Sequence, residues 1–377
     1  MNEKPLLLIV DDEDDIRENL CEFVAYKGFD VLEATDGADA LRVLDCHTPD
    51  LMISDLMMPG MGGMQLLQAL LERQIEVPVV IMTAFGTMQY AIDAMKAGAA
   101  DFLTKPIDLA YMMKVVDRVL QCNAMRQKLK EQQRQLEEDL RHAATIQRCL
   151  LPEPVETDCF TLQYRYQPLI HIGGDYLTVY SYNSRRLAVA LYDVSGHGVS
   201  AALTASLIHN QIQFLLAEDR PPAQVIDRLN HFILQNITQA SMFITMGLAL
   251  FDLDEGILTA SNAGHPDLLI WRGRTLCLES IASHMPPIGM IPGILGAHNE
   301  TTIPLNHGDR VLIYSDGFTD SRGPAGDMLG IQGMKEWVAR RHHLPPVDLI
   351  NTLFADLGNY RVHEPEDDLT LVVVDIK

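Results

Sequence analysis

Asp11, Asp12 and Asp55 each close a short apolar run, LLLIV in the first case and LMISD in the second, so three carboxylates fall at strand ends. Crowded carboxylates need neutralising, and a hard divalent cation with oxygen ligands does this; Mg²⁺ is the ion expected here. With that charge offset, Asp55 can act as a nucleophile toward a phosphoryl group. Thr83 ends a fourth run, VVIMT, where its hydroxyl can hydrogen-bond an acyl phosphate oxygen. Lys105 ends a fifth, DFLTK, just before Pro106, where its ammonium can pair with the phosphoryl charge.

A second set of acids sits in Gly-containing turns after apolar runs. These are GGD (Asp175), YDVSGHG (Asp193), YSDG (Asp316) and EPEDDLT (Asp367 and Asp368). Glycine lets the backbone approach a metal or phosphate closely. Carboxylates from four separated segments can hold two Mg²⁺ or Mn²⁺ ions roughly 3.5–4 Å apart with a bridging water. Such a water, made acidic, attacks a phosphate ester in line without a covalent enzyme intermediate. Each turn alone says little, because Asp-Gly is a common turn pair; their joint order is the specific signal. His197 and His265 lie in Gly-flanked turns and could give a proton to a leaving oxygen or touch phosphate. For both, a turn histidine satisfied by backbone bonds is the preferred reading. Asn262 reads as a turn residue or a support for the site, and Met57, Met58, Met61 and Met64 as a packing surface.

These residues need elements to carry them. Over residues 1–120, five short apolar strands alternate with amphipathic stretches near 14–27, 38–46, 63–73, 87–97 and 108–121. That alternation predicts an α/β doubly wound domain, a five-stranded parallel sheet with helices on both faces, with polar groups gathered beyond the C-terminal strand ends. Residues 121–150 contain no Gly or Pro and predict a helical linker. Cys122, Leu129, Leu136, Ala143 and Leu150 fill one heptad position, while Arg126, Gln133, Leu140 and Gln147 fill the position that pairs with it. This is half a hydrophobic seam, and a dimeric coiled coil is preferred over a solvated single helix. Pro152 and Pro154 stop the helix. Residues 151–377 then read as strand-like runs with helices at 200–218 and 222–237 and another after Gly333, predicting an α+β β-sandwich.

On these motifs the chain resembles known families. VDDE, SDLMMPGMGG, MTAF and FLTKP stand where receiver domains of two-component response regulators have their signature segments, over all of residues 1–120. The resemblance implies phosphorylation on Asp55 by a sensor histidine kinase, and it puts Phe102 at the family's switch-aromatic position. GGD, DVSGHG, NAGHP, YSDG and DDLT, in that order, resemble bacterial PPM-type serine/threonine phosphatases, over residues 145–377. The branch is the SpoIIE/RsbU-like one acting on anti-sigma-factor antagonists, and IQRCLLPEP looks like its entry segment. Carried over by position, Asp175 and Asp193 would hold one metal with the Val194 carbonyl. Asp193 would bridge to a second metal completed by Asp316 and Asp367, with Asp368 a weaker candidate. The implied substrate is a phosphorylated STAS-type antagonist. There are departures: many relatives carry a second acid where Thr178 stands, and an acid is common where His171 stands.

The formal charge of −22 repels nucleic-acid phosphates. No basic recognition helix follows the receiver, so a DNA-binding output is disfavoured. No apolar run is long enough to span a bilayer and the N-terminus does not read as a signal peptide, so membrane insertion is not expected and a cytoplasmic protein is. The six cysteines show no CxxC or zinc spacing and read as reduced structural thiols. The alternative to an enzyme is an adaptor in which the receiver switches a non-catalytic, phosphatase-like docking domain. Loss of the metal aspartates would favour that reading, and this chain retains them.

Overall fold

The computed structural model describes residues 4–84, 88–196, 198–237, 242–295 and 299–377. The chain divides into two compact units, Met1–Gln135 and Leu136–Lys377.

In the first unit β1 (Leu6–Val10), β2 (Asp30–Ala34), β3 (Leu51–Asp55), β4 (Val79–Ala84) and β5 (Asp101–Lys105) form one sheet in the order β2-β1-β3-β4-β5. All its pairings are parallel. Between the strands run α1 (Asp14–Tyr26), α2 (Gly37–Leu44), α3 (Gly63–Glu72) and α4 (Met88–Lys96), and α5 (Leu109–Cys149) follows the last strand. β3 is buried from end to end, and β1 and β4 over four residues each, because helices cover both faces. Leu7, Ile9, Leu51 and Ile53 pack toward Leu20 and Val24 of α1 and Met112, Val115 and Val119 of α5. Leu8, Val10 and Met52 pack toward Leu41, Leu66, Leu67 and Ala94 on the other side.

α5 continues unbroken for 41 residues, from the receiver core to Cys149. Its central part is exposed, including Leu129 and Leu136. Within the second unit, Ala144 and Gln147 become buried, and Leu140 and Ala143 join a small cluster with Ile172 and Ala202.

The second unit holds two antiparallel sheets. One has the order β14-β11-β10-β9-β8, built from β8 (Tyr176–Ser181), β9 (Arg186–Val194), β10 (Ile244–Asp252), β11 (Ile257–Ala263) and β14 (Thr301–Pro304). The other has the order β13-β12-β15-β16-β7-β6, built from β6 (Val155–Glu156), β7 (Phe160–Gln167), β12 (Leu268–Arg272), β13 (Cys277–Ile281), β15 (Arg310–Tyr314) and β16 (Leu369–Ile376). Phe160, Leu162, Leu191, Phe251, Ile270, Ile313 and Val372 fill the space between the sheets. α6 (Val199–Ala217) and α7 (Pro222–Asn236) cover the outer face of the first sheet. α9 (Gly330–Arg341) and α10 (Pro346–Tyr360) cover the outer face of the second. The predicted sandwich is therefore four layers deep. Burial on both faces explains why β9 and β16 read as nearly continuous apolar runs rather than as alternations. Among the described residues no helix is long and apolar enough to cross a membrane.

Candidate active site

In the first unit the sheet order reverses between β1 and β3, the place where an open parallel sheet leaves a crevice at its C-terminal edge. Asp11 follows β1 and is fully buried, Asp12 is exposed beside it, and Asp55 ends β3 and is buried. One ligand oxygen from each lies within 4.8 Å of the others. Lys105, at the end of β5, places its Nζ 2.7 Å from Asp55 Oδ2 and 2.9 Å from Asp11 Oδ2. Burial works to lower the Lys105 pKa, but hydrogen bonds to both carboxylates outweigh it and hold the ammonium above its ordinary value. Thr83 is half-buried at the end of β4, its hydroxyl 3.4 Å from the Ala84 carbonyl, and Phe102 is half-buried on β5. The pocket thus joins a cation-binding acid pair, an oxygen that can accept phosphoryl, and a lysine already at hydrogen-bonding distance.

Arg17 is a supporting residue that the motifs do not reveal. It lies on the buried stripe of α1 with Leu20 and Val24. Its Nη1 donates to the Asp11 carbonyl at 2.9 Å and its Nη2 to Asp14 at 2.5 Å. The available signal was a charged residue in a helix position whose neighbours three and seven residues on are apolar.

The second site forms where the two sheets of the sandwich meet at one end. Asp193 lies near the end of β9, and Asp175 immediately precedes β8, its antiparallel neighbour. Asp316 follows β15 and opens the short helix α8 (Asp316–Thr319). Asp367 and Asp368 immediately precede β16, the antiparallel partner of β15. Each sheet therefore delivers acids from an adjacent strand pair. The Thr370 hydroxyl of one sheet donates to Asp175 Oδ2 of the other at 2.6 Å. The glycines before Asp175 are required by space: a Cβ on Gly174 would lie 2.7 Å from the Val194 carbonyl oxygen and 3.1 Å from Asp193 Oδ1.

The electrostatics of this cluster are unfavourable without a cation. Burial, reinforced by repulsion from Asp316, Asp367 and Asp368, pushes the Asp193 carboxyl up to about 8. Burial and repulsion from Asp193 and Asp368 hold Asp175 well above the usual carboxylate range. Asp316 is pushed up to about 6 by burial and then by Asp367. Asp368 is also raised by burial, restrained by the N–H groups it accepts from. An all-oxygen donor set that resists ionisation in its own field is what a hard divalent cation neutralises, so the chemistry of these residues suits the implied metals, although among the described residues only Asp11, Asp12 and Asp55 bring three ligand oxygens within 4.8 Å of one another.

The neighbouring aspartates 367 and 368 differ sharply. Asp367 is exposed toward the cluster. The Asp368 carboxylate is buried and accepts from the N–H groups of Leu169 at 2.6 Å, Gly174 at 2.6 Å and Asp175 at 3.3 Å, which makes it an anchor of the glycine turn. His265 is buried, with Nδ1 3.0 Å from the hydroxyl of Thr245, the residue paired with Asp193 across β9 and β10. Burial lowers its pKa to about 3, so it is a neutral support behind the acid cluster. Asn262 accepts from the His265 N–H at 2.9 Å and donates to the Pro266 carbonyl at 3.0 Å, bridging that turn. His197 lies outside the described residues. Thr178 is buried and its hydroxyl is 2.8 Å from His209 Nδ1 on α6, while His171 is half-exposed before Ile172. Next to Asp367 a cleft of about 220 Å³ is lined by Asp320, Glu364 and Glu366 as well as by Arg322, Arg361 and His363.

Fold and site together define a receiver domain joined to a PP2C-like domain. The family model for Stage II sporulation protein E (SpoIIE) matches residues 183–377, and the one for the response regulator receiver domain matches residues 7–117. The chain belongs to the Stage II sporulation protein E (SpoIIE) family and carries a response regulator receiver domain at its N-terminal side. It is similar to the phosphoserine phosphatase RsbP of Bacillus subtilis (strain 168), 26% identical over 243 residues, or 63% of this chain and 58% of that one. It is also similar to the regulatory protein AtoC of Escherichia coli (strain K12), 35% identical over 124 residues, or 33% of this chain and 27% of that one. The chain thus spans a little over half of one relative and about a quarter of the other. Among solved structures, the SiaA-PP2C domain of Pseudomonas aeruginosa superposes with a TM-score of 0.58 at 20% identity, covering 65% of this chain and 98% of that domain, a likeness of fold.

Proposed function

We propose that this chain is a response regulator, phosphorylated on Asp55, whose output is a metal-dependent protein serine/threonine phosphatase. The observation that carries the proposal is the convergence of Asp175, Asp193, Asp316 and Asp367 from four strand ends into one electrostatically unstable cluster. Asp175 and Asp193, with the Val194 carbonyl, would hold one Mg²⁺ or Mn²⁺, and Asp193, Asp316 and Asp367 a second. Two such cations when bound supply Lewis acidity toward the phosphoryl group and an acidified water. The protein's own contribution is placement: the glycine turn brings backbone against Asp193, and Asp368 fixes that turn from the opposite sheet. Arg322 and Arg361 line the cleft beside Asp367 together with Asp320, Glu364 and Glu366, and their guanidinium groups could pair with a phosphoserine phosphate brought to the cations. In the receiver, Asp11, Asp12 and Asp55 would hold Mg²⁺, while Thr83 and Lys105 stabilise the aspartyl phosphate and Phe102 responds to it.

The domain limits that fit this division of labour are 1–120, 121–150 and 151–377. The proposed phosphodonor is a sensor histidine kinase and the proposed substrate a phosphorylated STAS-type anti-sigma-factor antagonist, both in the cytoplasm. RsbP, described as a phosphoserine phosphatase, supports this reading. The exposed Leu129 and Leu136 on α5 support pairing of two copies through the linker helix. Mn²⁺-dependent hydrolysis of p-nitrophenyl phosphate by the wild type and by Asp193→Ala tests the enzyme reading. The variant is expected to fall to the metal-free background; equal rates would leave only the adaptor alternative.

A further inference from the structure

Gln147 occupies the last turn of α5 and is only 3% exposed, although its neighbours Ile146 and Arg148 face solvent. A glutamine buried to that degree needs its amide satisfied. Its Nε2 donates to the Gly173 carbonyl at 2.9 Å. Its Oε1 accepts from the Tyr166 hydroxyl at 3.3 Å and faces the Gly173 N–H at 3.4 Å. The main-chain carbonyl of the same residue accepts from the Tyr176 hydroxyl at 2.8 Å, on the other side of Asp175. Both ends of the Gly173–Tyr176 turn are thus tied to one residue of the helix. From the opposite direction the turn is held by Asp368, and Gly174 lies against Asp193 and Val194 with no room to retreat.

We propose that Gln147 is a positioning residue for the phosphatase cation site. Its amide fixes Gly173, and through the turn it sets Asp175 against Asp193 and the Val194 carbonyl. The inference rests on the phosphatase reading only in that cations bind there; it assigns Gln147 a role toward binding, which turnover need not report. In the helical linker read as a heptad, Gln147 falls on a seam position. Its burial against Gly173 instead takes that position out of any seam and gives the helix end a grip on the metal turn.

The test is calorimetric titration of the full chain with Mn²⁺, every protein compared, the reference included, carrying Asp11→Ala and Asp12→Ala so that the receiver acids do not contribute to the signal. Gln147→Leu and Gln147→Met keep the apolar bulk and remove the amide, Tyr166→Phe removes only the hydroxyl that holds it, and Ile146→Ala serves as a control on the exposed face of the same turn. Loss of an outer support of this kind lowers metal affinity by about 10- to 100-fold. That loss is expected for the Gln147 variants, with a smaller loss in the same direction for Tyr166→Phe and none for Ile146→Ala. Hydrolysis by the Gln147 variants should recover at saturating Mn²⁺, appearing as a raised half-saturating metal concentration. Reference affinity in the Tyr166 variant and in every folded Gln147 variant, with at most a lowered unfolding midpoint, would reduce Gln147 to a helix anchor and overturn the proposal. A reference protein that binds no Mn²⁺ would overturn it as well. A reference protein that binds Mn²⁺ with Gln147-dependent affinity but hydrolyses no phosphate ester would leave the positioning role standing and remove the phosphatase reading.

Discussion

As a proposed cation ligand, Asp193 would answer to two opposed demands. To hold cations it must ionise, yet burial and three neighbouring acids push its carboxyl up to about 8. An aspartate whose folded pKa is raised stabilises the fold below its unfolded value of about 4, and that contribution is lost as pH rises through the folded value. With Asp316 at about 6 and Asp193 at about 8, the unfolding midpoint of the chelated protein should fall as pH is raised from about 4 through 8, and added Mn²⁺ should reverse the fall. A midpoint that rises over that range in chelator would contradict the burial seen at the cluster. By the same argument Asp193→Asn should raise the midpoint in chelator while removing hydrolysis, the pattern of a residue retained for function at the expense of stability. In the receiver, Arg17→Ala leaves the buried Asp11 carbonyl without its donor and should destabilise that unit by about 1–3 kcal/mol, read as an earlier receiver transition in urea. Much of this scale was legible in the sequence, because Asp-containing turns after apolar runs declare themselves. The different orientations of Asp367 and Asp368 were not, since both follow the same Glu-Pro-Glu segment and only the register of β16 decides which carboxylate turns inward.

Among the elements, the receiver strands follow the apolar runs closely, and α6 and α7 start and stop within a residue or so of the predicted stretches. The strands β13 and β14 carry no buried apolar run, one being largely exposed and the other short and edge-placed, so neither has the pattern by which a strand is read from sequence. α10 was hidden behind Pro345 and Pro346, which read as breakers but here precede and open the helix, with Pro346 at its first position. β9 packs on both sides, with Ala188, Ala190 and Tyr192 toward the helical layer and Leu187, Val189 and Leu191 toward the second sheet. Leu191 is fully buried between the sheets, and Leu191→Ala should cost about 2–5 kcal/mol in the phosphatase unit, measured by denaturant unfolding. α5 makes a different demand. Leu129 and Leu136 are exposed on a single chain, and Leu129→Glu with Leu136→Glu should convert a dimer to monomers by light scattering while leaving the receiver folded. An unchanged mass would mean that the stripe is merely solvated.

At the scale of the whole molecule, the proposed function would give the chain two phosphate chemistries of different kind. One would be covalent, at Asp55, where Lys105 already lies at hydrogen-bonding distance; the other would depend on carboxylates gathered around Asp193 and need no phosphoenzyme. Among the described residues α5 is the one element that runs through both compact units; it begins against the receiver sheet, and its last turn sets Gln147 on the Gly173 carbonyl. Sequence alone suggested the two acid clusters and the helix, but it could not show that the last turn of the helix meets the Gly173–Tyr176 turn, because that contact joins residues 26 positions apart through a side chain that looks like any other linker glutamine. In the proposed function, phosphorylation at Asp55 would control hydrolysis at the second site. The direct measurement is the rate of Mn²⁺-dependent phosphate-ester hydrolysis by the full chain, phosphorylated with a small-molecule phosphodonor, against Asp55→Asn treated identically at the same oligomeric state. A coupling of about 1–3 kcal/mol predicts rates differing by about 5- to 150-fold; equal rates in fully phosphorylated and Asp55→Asn protein would contradict the account.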